Sequence, residues 1–283
     1  MIIANPIYDV VFKRLMEDKK IAKFFVETLT GEIISEIELK PQEFTYNDRL
    51  AGIAVYRLDF LAKIKTSENE FKKVLIEIQK AKNAVDLMRF RNYLAEQYKK
   101  EDEITTDEGI ERTALPIITI YLLGFRLSEI ESSVLKVNRQ YIDLITNKII
   151  NQKSEFIEKL THDCYIVQIP RIQSRIQSKL EMLLTVFEQK NFIDDKEITK
   201  NYTYQIKNES IKDMVNILHH AGTDPDEKIE LEKEQEALRV FDLGMKELKL
   251  TIAEKEKALT EKDKALKEKD KLIKELKDKL KEQ

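Results

Sequence analysis

Residues 55 to 80 contain two stretches in which apolar residues recur at every second position, a pattern typical of β-strands with one buried face. The first stretch, Val55 to Ile64, places four apolar residues on one face: Leu58, Phe60, Ala62 and Ile64. The second stretch, Lys72 to Lys80, has one face made of Val74, Ile76 and Ile78. Because only a short polar linker separates the stretches, the sequence predicts a β-hairpin.

The segments around this hairpin mix helical and strand patterns. In chain order, they predict a helix over 7–29, a strand over 35–46, the hairpin, a helix over 84–100 and a strand over 115–125. Gly31 suits a left-handed helix end, and Pro41 interrupts the first strand. The last strand is apolar throughout, which predicts burial on both faces. This order predicts a compact α/β unit.

Beyond residue 130 the patterns are weaker. They predict a strand and turn over 139–150, a short strand over 164–169, and helices over 172–189 and 206–220. The clearest boundary signal is Gly222 to Pro225. We therefore expect three regions: a core over 1–130, a mixed, mainly helical extension that completes or flanks it over 131–224, and a charged tail over 225–283.

The tail has a seven-residue repeat. From Glu254 to Gln283, 20 of 30 residues are charged, and the repeating apolar residues are Leu259, Leu266, Ile273 and Leu280. Such a repeat predicts a coiled coil and therefore a homo-oligomer formed through these heptads. Lysines occupy most of the neighbouring seam positions, so an isolated, highly charged single helix is the alternative interpretation.

Bulk composition narrows the choice of compartment and cofactor. The formal net charge is −3, so contact with phosphates requires a local basic patch. The chain has one cysteine and three histidines, too few and too poorly spaced for a zinc site. No signal peptide and no apolar run of membrane-spanning length is present. These features predict a cytoplasmic protein with no membrane association.

Three polar residues interrupt the predicted hairpin. Asp59 lies in the first stretch, and Glu77 and Gln79 share one face of the second, inside the apolar sequence VLIEIQ. Unpaired polar groups in such a strand are unfavourable, and two close carboxylates repel each other unless a cation lies between them. Mg²⁺ prefers carboxylate, carbonyl and water ligands, so Asp59, Glu77 and the carbonyl of Ile78 are candidate ligands. Ordinary solvent-facing strand residues are the alternative.

Four stretches in order resemble one family. YRLDFLAKI and KKVLIEIQKAK resemble the PD-(D/E)XK nuclease superfamily and, more narrowly, the recombination-promoting nuclease and putative transposase family, in which the last motif lysine is typically glutamine. YDVVFKRLM is similar to the family's opening motif, and LPIITIYLLGF resembles the strand that closes its core. The resemblance covers about residues 5 to 125. Leu58 stands in place of the motif proline, and Met16 in place of a frequent aromatic.

This resemblance implies a restriction-endonuclease-like core, with a mixed central sheet flanked by helices, ahead of the helical region and the C-terminal coiled coil. It implies a DNA endonuclease that uses Mg²⁺, or Mn²⁺ as a substitute, in DNA recombination or mobile-element activity. Asp59 and Glu77 would be metal ligands, and Gln79 would replace the usual lysine and orient the attacking water. Strand alternation directs Lys80 to the opposite face, so Lys80 takes that place only if a bulge interrupts the strand.

Further residues are candidates for contact with the nucleic acid. Asp9 and Lys13 lie one helical turn apart, and either a supporting role at the site or an ordinary surface ion pair fits them equally. The resemblance includes Arg89 and Tyr93, also one turn apart. Together with Lys13, we expect phosphate contacts from Lys82, Arg89 and Arg91, with Tyr93 in a supporting role. A cation packed on an aromatic ring in the interior is the alternative for Arg89 and Tyr93.

Two other functions remain open on the sequence. The missing motif lysine is compatible with a catalytically inactive nuclease fold that binds DNA or drives assembly through the coiled coil. The same metal chemistry could also cleave RNA, because both nucleic acids present phosphates and no module that reads the 2′-hydroxyl is apparent.

Overall fold

The computed structural model describes the backbone of residues 1–40, 43–48, 52–57, 60–80, 84–106, 109–173 and 175–281. Side chains are described for the same residues except 43–48, 52–57, 84–86, 89, 106, 241–242, 245, 249, 272 and 274–281. The chain forms two compact units, residues 1–232 and 233–283.

The secondary-structure elements of the described residues are numbered in chain order. The helices are α1 (Asp9–Met16), α2 (Lys19–Thr30), α3 (Ala84–Lys99), α4 (Glu155–Leu160), α5 (Lys179–Thr185), α6 (Glu209–Thr223) and α7 (Pro225–Lys281). The strands are β1 (Ile2–Ala4), β2 (Ile34–Leu39), β3 (Glu43–Asp48), β4 (Gly52–Arg57), β5 (Phe60–Thr66), β6 (Phe71–Gln79), β7 (Asp102–Thr106), β8 (Gly109–Thr113), β9 (Ile117–Leu123), β10 (Val134–Val137), β11 (Tyr141–Ile142), β12 (Ile149–Ile150), β13 (His162–Gln168) and β14 (Thr199–Asn201).

A mixed six-stranded sheet forms the centre of the first unit, with strand order β10-β13-β9-β6-β5-β2. The pairs β13/β9 and β9/β6 are parallel, whereas β10/β13, β6/β5 and β5/β2 are antiparallel. Parallel strands require crossover connections, and helix α3 lies in the crossover from β6 to β9. The predicted α/β class with a mixed central sheet is therefore confirmed.

The predicted hairpin is the antiparallel pair β5/β6, in which Phe60 is opposite Ile76 and Leu61 is opposite Leu75. Strand β9 is buried along almost its whole length, as its continuous apolar sequence predicts. Its neighbours β6 and β13 cover both of its edges, so β9 lies inside the sheet.

Helices cover both faces of the sheet. On one face, Phe90 and Tyr93 of α3 pack against Leu61, Leu75 and Ile117. On the other face, the Tyr165 hydroxyl of β13 donates to the carbonyl of Thr30 at the end of α2. The helices on that side share an aromatic cluster in which the rings of Phe12, Phe25 and Phe187 lie within 6.4 Å of one another, centre to centre. Alternating side chains of each strand therefore enter different cores.

The helix predicted over 7–29 is in fact two helices, α1 and α2, that break at Asp18. The Asp18 carboxylate accepts hydrogen bonds from the backbone N–H groups of Lys20 and Ile21, which caps α2. An N-cap carboxylate starts a new helix because it satisfies donors that the first turn leaves unpaired. The predicted end of this segment is confirmed, since Gly31 adopts φ of 77° after α2.

Two predicted strands are each divided between separate sheets. Residues 35–46 contribute to β2 and β3, and residues 55–64 contribute to β4 and β5. Strands β3 and β4 pair with each other in a two-stranded sheet of their own, and β2 and β5 belong to the central sheet. The alternation pattern predicted strand structure correctly but not its partners, because pairing depends on contacts distant in sequence.

The helix predicted over 172–189 is also wrong in its first half. Among the described residues of 169–189, helical turns occur only at Ile169–Arg171 and in α5. Glu181 accepts hydrogen bonds from the backbone of Gln177 and from the Arg175 side chain, and Ser178 caps α5. These bonds stabilise a non-helical entry to α5.

The region 131–224 contributes to the central sheet as well as supplying helices, because β10 and β13 form one side of the sheet. The boundary near Pro225 separates α6 from α7, and the Asp224 carboxylate accepts from the N–H groups of Asp226 and Glu227 at the start of α7. Leu231 is still buried, and the compact unit ends one residue later, at Glu232. Within the described part of the chain, no helix is both long and apolar enough to span a membrane.

Candidate metal and nucleic-acid site

Glu77 and Gln79 lie near the carboxyl end of β6, on the face that α3 covers. Strand alternation places them on the same side as Leu75, which packs against Phe90 and Tyr93 of α3. The Glu77 side chain is buried, with 2% of its surface exposed, and Gln79 is half-buried. A carboxylate at this depth requires compensating positive charge or hydrogen bonds.

Asp59 lies outside the described residues, between the end of β4 and the start of β5. The hairpin register gives its sequence context: Phe60 is opposite Ile76 in the antiparallel pair. Asp59 precedes Phe60 and Glu77 follows Ile76. The convergence of the two carboxylates therefore stays a prediction that the hairpin register favours.

Tyr121 is the parallel-strand partner of Glu77. Its ring packs on Phe90, with the ring centres 4.4 Å apart. Burial raises the pKa of Tyr121, and the nearby Cys164 and Glu77 raise it further when they are ionised. The phenol is therefore neutral at physiological pH, and the Glu77 carboxylate lies in a surrounding of low polarity where charge interactions are strong.

Gly124 fixes the strand ends at this site, although no sequence pattern marks it as part of the site. Its backbone N–H donates to the Gln79 carbonyl at 2.8 Å. A methyl group added at Gly124 would lie 2.7 Å from the Lys80 carbonyl oxygen, closer than side-chain carbons approach backbone atoms. The glycine therefore permits the close approach of the two chains next to Gln79.

Lys80 and Asp9 meet at the end of β6. The Lys80 ammonium lies 3.5 Å from the Asp9 carboxylate and 4.8 Å from the centre of the Tyr8 ring. These contacts direct Lys80 toward α1, away from the α3 side, as strand alternation predicts. Asp9 thus contacts the residue that follows Gln79 at the end of β6. Its supporting role stays a prediction.

The residues predicted to contact phosphate have different surroundings. Lys13 is half-buried on α1 and Arg91 is exposed on α3. Lys82 and the side chain of Arg89 lie outside the described residues. Tyr93 is only 1% exposed and belongs to the core that α3 forms with the sheet, so its described contacts are those of a packing residue.

No group of three or more His, Cys, Asp or Glu side chains converges within the described part of the chain. This finding does not involve Asp59. The two remaining candidate ligands, the Glu77 carboxylate and the Ile78 carbonyl, are hard oxygen donors of the kind that Mg²⁺ and Mn²⁺ bind. The donor types present therefore fit such a cation.

Comparison with known proteins gives no relative for this chain: no protein-family profile, no curated protein and no solved structure matches its sequence or fold significantly.

Proposed function

We propose that this protein is a Mg²⁺-dependent DNA endonuclease of the PD-(D/E)XK type, acting in the cytoplasm in DNA recombination or mobile-element activity. Asp59 and Glu77, with the carbonyl of Ile78, would hold the cation, and Mn²⁺ would substitute for Mg²⁺. Lys13, Lys82, Arg89 and Arg91 would contact the phosphate backbone.

One observation carries the proposal. A buried carboxylate, Glu77, and a polar amide, Gln79, share the covered face of a central strand whose antiparallel partner begins one residue after Asp59. Oxygen ligands of a catalytic cation need such a placement, on rigid strands inside a partly dehydrated site. The order of α2, β2, β5, β6, α3 and β9, with β9 parallel to β6, also agrees with the core that the family resemblance implies.

Each residue of the proposed site would have its own role. The bound cation would supply an activated water and would neutralise charge that develops on the phosphate. The Gln79 amide would orient that water by hydrogen bonding, and the sheet would fix Glu77 against movement. Tyr121 and α3 would exclude bulk water beside Glu77, which strengthens every charge interaction there.

Plasmid cleavage tests this function. Supercoiled plasmid is incubated with the full chain in Mg²⁺, Mn²⁺ or EDTA, alongside Asp59→Asn, Glu77→Gln and the control Glu111→Gln, which alters an exposed carboxylate. We expect metal-dependent nicking or linearisation that the first two variants lose by about a hundredfold or more and the control retains. Cleavage that survives both site variants would place the chemistry elsewhere.

A second function, an inactive nuclease fold that binds DNA, is favoured by the positions of the lysines. Lys80 is directed toward α1, and Lys73, on the same strand face as Glu77, pairs with Asp102 at 2.8 Å near the start of β6. Neither lysine therefore takes the place of the motif lysine that Gln79 replaces. DNA binding without cleavage in any metal would support this function, and cleavage of RNA alone would indicate an RNase.

For the tail, we propose that the chain forms a homo-oligomer through the heptads. Helix α7 is continuous to Lys281, and the repeating residues Leu259, Leu266 and Ile273 are exposed, at 62%, 57% and 50%. A second copy of the chain would cover this apolar stripe. Replacement of these three residues by serine is expected to weaken the association.

A further inference from the structure

One segment of the first unit has almost no buried apolar residue. Between residues 137 and 160, nine large apolar side chains are exposed: Val137, Ile142, Leu144, Ile145, Ile149, Ile150, Phe156, Ile157 and Leu160. We call this set the excursion surface. Leu144, Ile145 and Phe156 are the most exposed, at 87%, 94% and 71%. Helix α4 has no buried residue at all.

The excursion surface belongs to an ordered structure. Strands β11 and β12 pair in register, with Ile142 opposite Ile149 on one face of the hairpin. The turn between them is held by Asp143, which accepts from the N–H groups of Ile145 and Thr146. The exposure of Leu144 and Ile145 at this turn is therefore built into the fold.

Polar contacts fasten α4 to both the hairpin and the central sheet. The Tyr141 hydroxyl donates to the Glu158 carboxylate, and Arg139 forms ion pairs of 2.7 Å with Glu158 and 3.0 Å with Asp163. On α4 itself, Phe156 and Leu160 are one turn apart and lie on one face of the helix. Exposed apolar side chains concentrated on an ordered support mark an interaction site.

Charge restricts what can cover this surface. The charged residues between 139 and 160 nearly balance: Arg139, Lys148, Lys153 and Lys159 against Asp143, Glu155 and Glu158. Several of them pair within the segment, including Lys159 with Glu155 at 2.6 Å and Lys153 with Glu158 at 3.5 Å. A near-neutral, internally paired surface can face its own copy without like-charge repulsion, whereas an anionic membrane or nucleic acid requires a basic excess.

We propose that the excursion surface is an isologous contact between two copies of this chain. In such a contact the same patch meets itself about a two-fold axis, and a stable interface covers about 800 Å² on each partner. The surface lies at the end of the sheet where β13 begins, opposite the carboxyl end of β6 that carries Glu77. The contact therefore leaves the proposed nuclease site accessible and does not depend on the nuclease proposal.

Sedimentation equilibrium of the full chain tests this contact. All samples carry Leu259→Ser, Leu266→Ser, Ile273→Ser and Leu280→Ser, which replace all four repeating apolar residues of the heptads. We expect a dimer that does not grow further as the protein concentration rises. Adding Leu144→Ser, Ile145→Ser and Phe156→Ser is expected to raise the dissociation constant about tenfold or more. A matched set of exposed positions outside the surface, Ile33→Ser, Ile193→Ser and Ile229→Ser, is expected to leave it unchanged.

Three results would overturn the proposal: a monomer throughout before the excursion substitutions are added, a mass that rises beyond the dimer, or equal effects of the two sets. Hydrogen exchange tests the contact without the excursion substitutions. The segment 141–160 of the otherwise unsubstituted heptad variant is expected to exchange more slowly above the dissociation constant than below it. Equal exchange at both concentrations would also contradict the contact.

Discussion

Lys200 shows how a single buried charge is held in this fold. Its ammonium donates to the carbonyls of Val186 at 2.7 Å and of Glu188, and the residue is almost completely buried. Burial lowers the pKa of Lys200 to about 7, although the negative charge of Glu188 acts in the opposite direction. In the unfolded chain the ammonium regains its ordinary pKa of about 10.5.

This difference predicts the sign of a pH dependence. Between about pH 7 and 10 the unfolded chain binds the extra proton, so the contribution of Lys200 to stability rises with pH, by at most about 1.4 kcal/mol per pH unit. We therefore expect the free energy of unfolding in urea to rise more from pH 7 to pH 9 in the wild type than in Lys200→Met. Lys212→Met, at an exposed lysine, should behave as the wild type. An equal rise in the wild type and in Lys200→Met would contradict a lowered pKa for Lys200 in the folded chain.

At the scale of elements, the ends of β6 and β9 are fixed by backbone contacts that involve no functional side chain. Gly124 supplies both the hydrogen bond to Gln79 and the space beside Lys80. Movement of this strand end would displace Gln79 from the orientation it shares with Glu77. The geometry of the site thus depends on a residue that has no chemistry of its own.

Gly124→Ala is expected to lower the free energy of unfolding by about 1–3 kcal/mol, because its methyl group overlaps the Lys80 carbonyl oxygen. Gly244→Ala is the matched control, since nothing lies within 4 Å of a methyl group there and alanine favours the helix. Urea denaturation measures both changes. If Gly124→Ala is as stable as the wild type, the chains at Gly124 and Lys80 can move apart without a loss of stability.

The elements that the sequence predicts well are those whose signal is local. The β5/β6 hairpin and the buried strand β9 follow from side-chain periods along a few residues, and Gly31 marks its helix end by its own conformation. The sequence did not predict that β3 and β4 leave the central sheet, because their pairing is decided by competition between strands. The helical pattern of residues 7–29 includes Asp18, although the Asp18 side chain starts a new helix.

In the candidate site too, local sequence patterns predict some features and tertiary packing determines the others. The shared face of Glu77 and Gln79 follows from strand alternation, and so does the direction of Lys80. The near-complete burial of Tyr93 and the steric role of Gly124 depend on how α3 and β9 pack against β6, which no local pattern encodes. For residues 139–150 the sequence predicts a strand and turn but not the exposure, because a short amphipathic hairpin has the same pattern whether its apolar face is covered or exposed.

At the scale of the whole molecule, the proposed cleavage site belongs to one unit, whereas the proposed contacts between copies belong to both. The first unit, residues 1–232, contains the central sheet, the candidate metal ligands and the excursion surface, and the second, residues 233–283, contains the heptads. Both the excursion surface and the heptads are proposed to contact a second copy of the chain. Paired copies would bring two cleavage sites into one assembly, which suits the cutting of both DNA strands.

Binding of Mn²⁺ to the full chain, followed by electron paramagnetic resonance, tests the proposed metal site without relying on cleavage. We expect the wild type to bind Mn²⁺ at a site that Asp59→Asn and Glu77→Gln each weaken by about tenfold or more, while Glu111→Gln binds as the wild type does. Unchanged Mn²⁺ binding in both site variants, or no binding by a folded wild type, would contradict a metal site at Asp59 and Glu77.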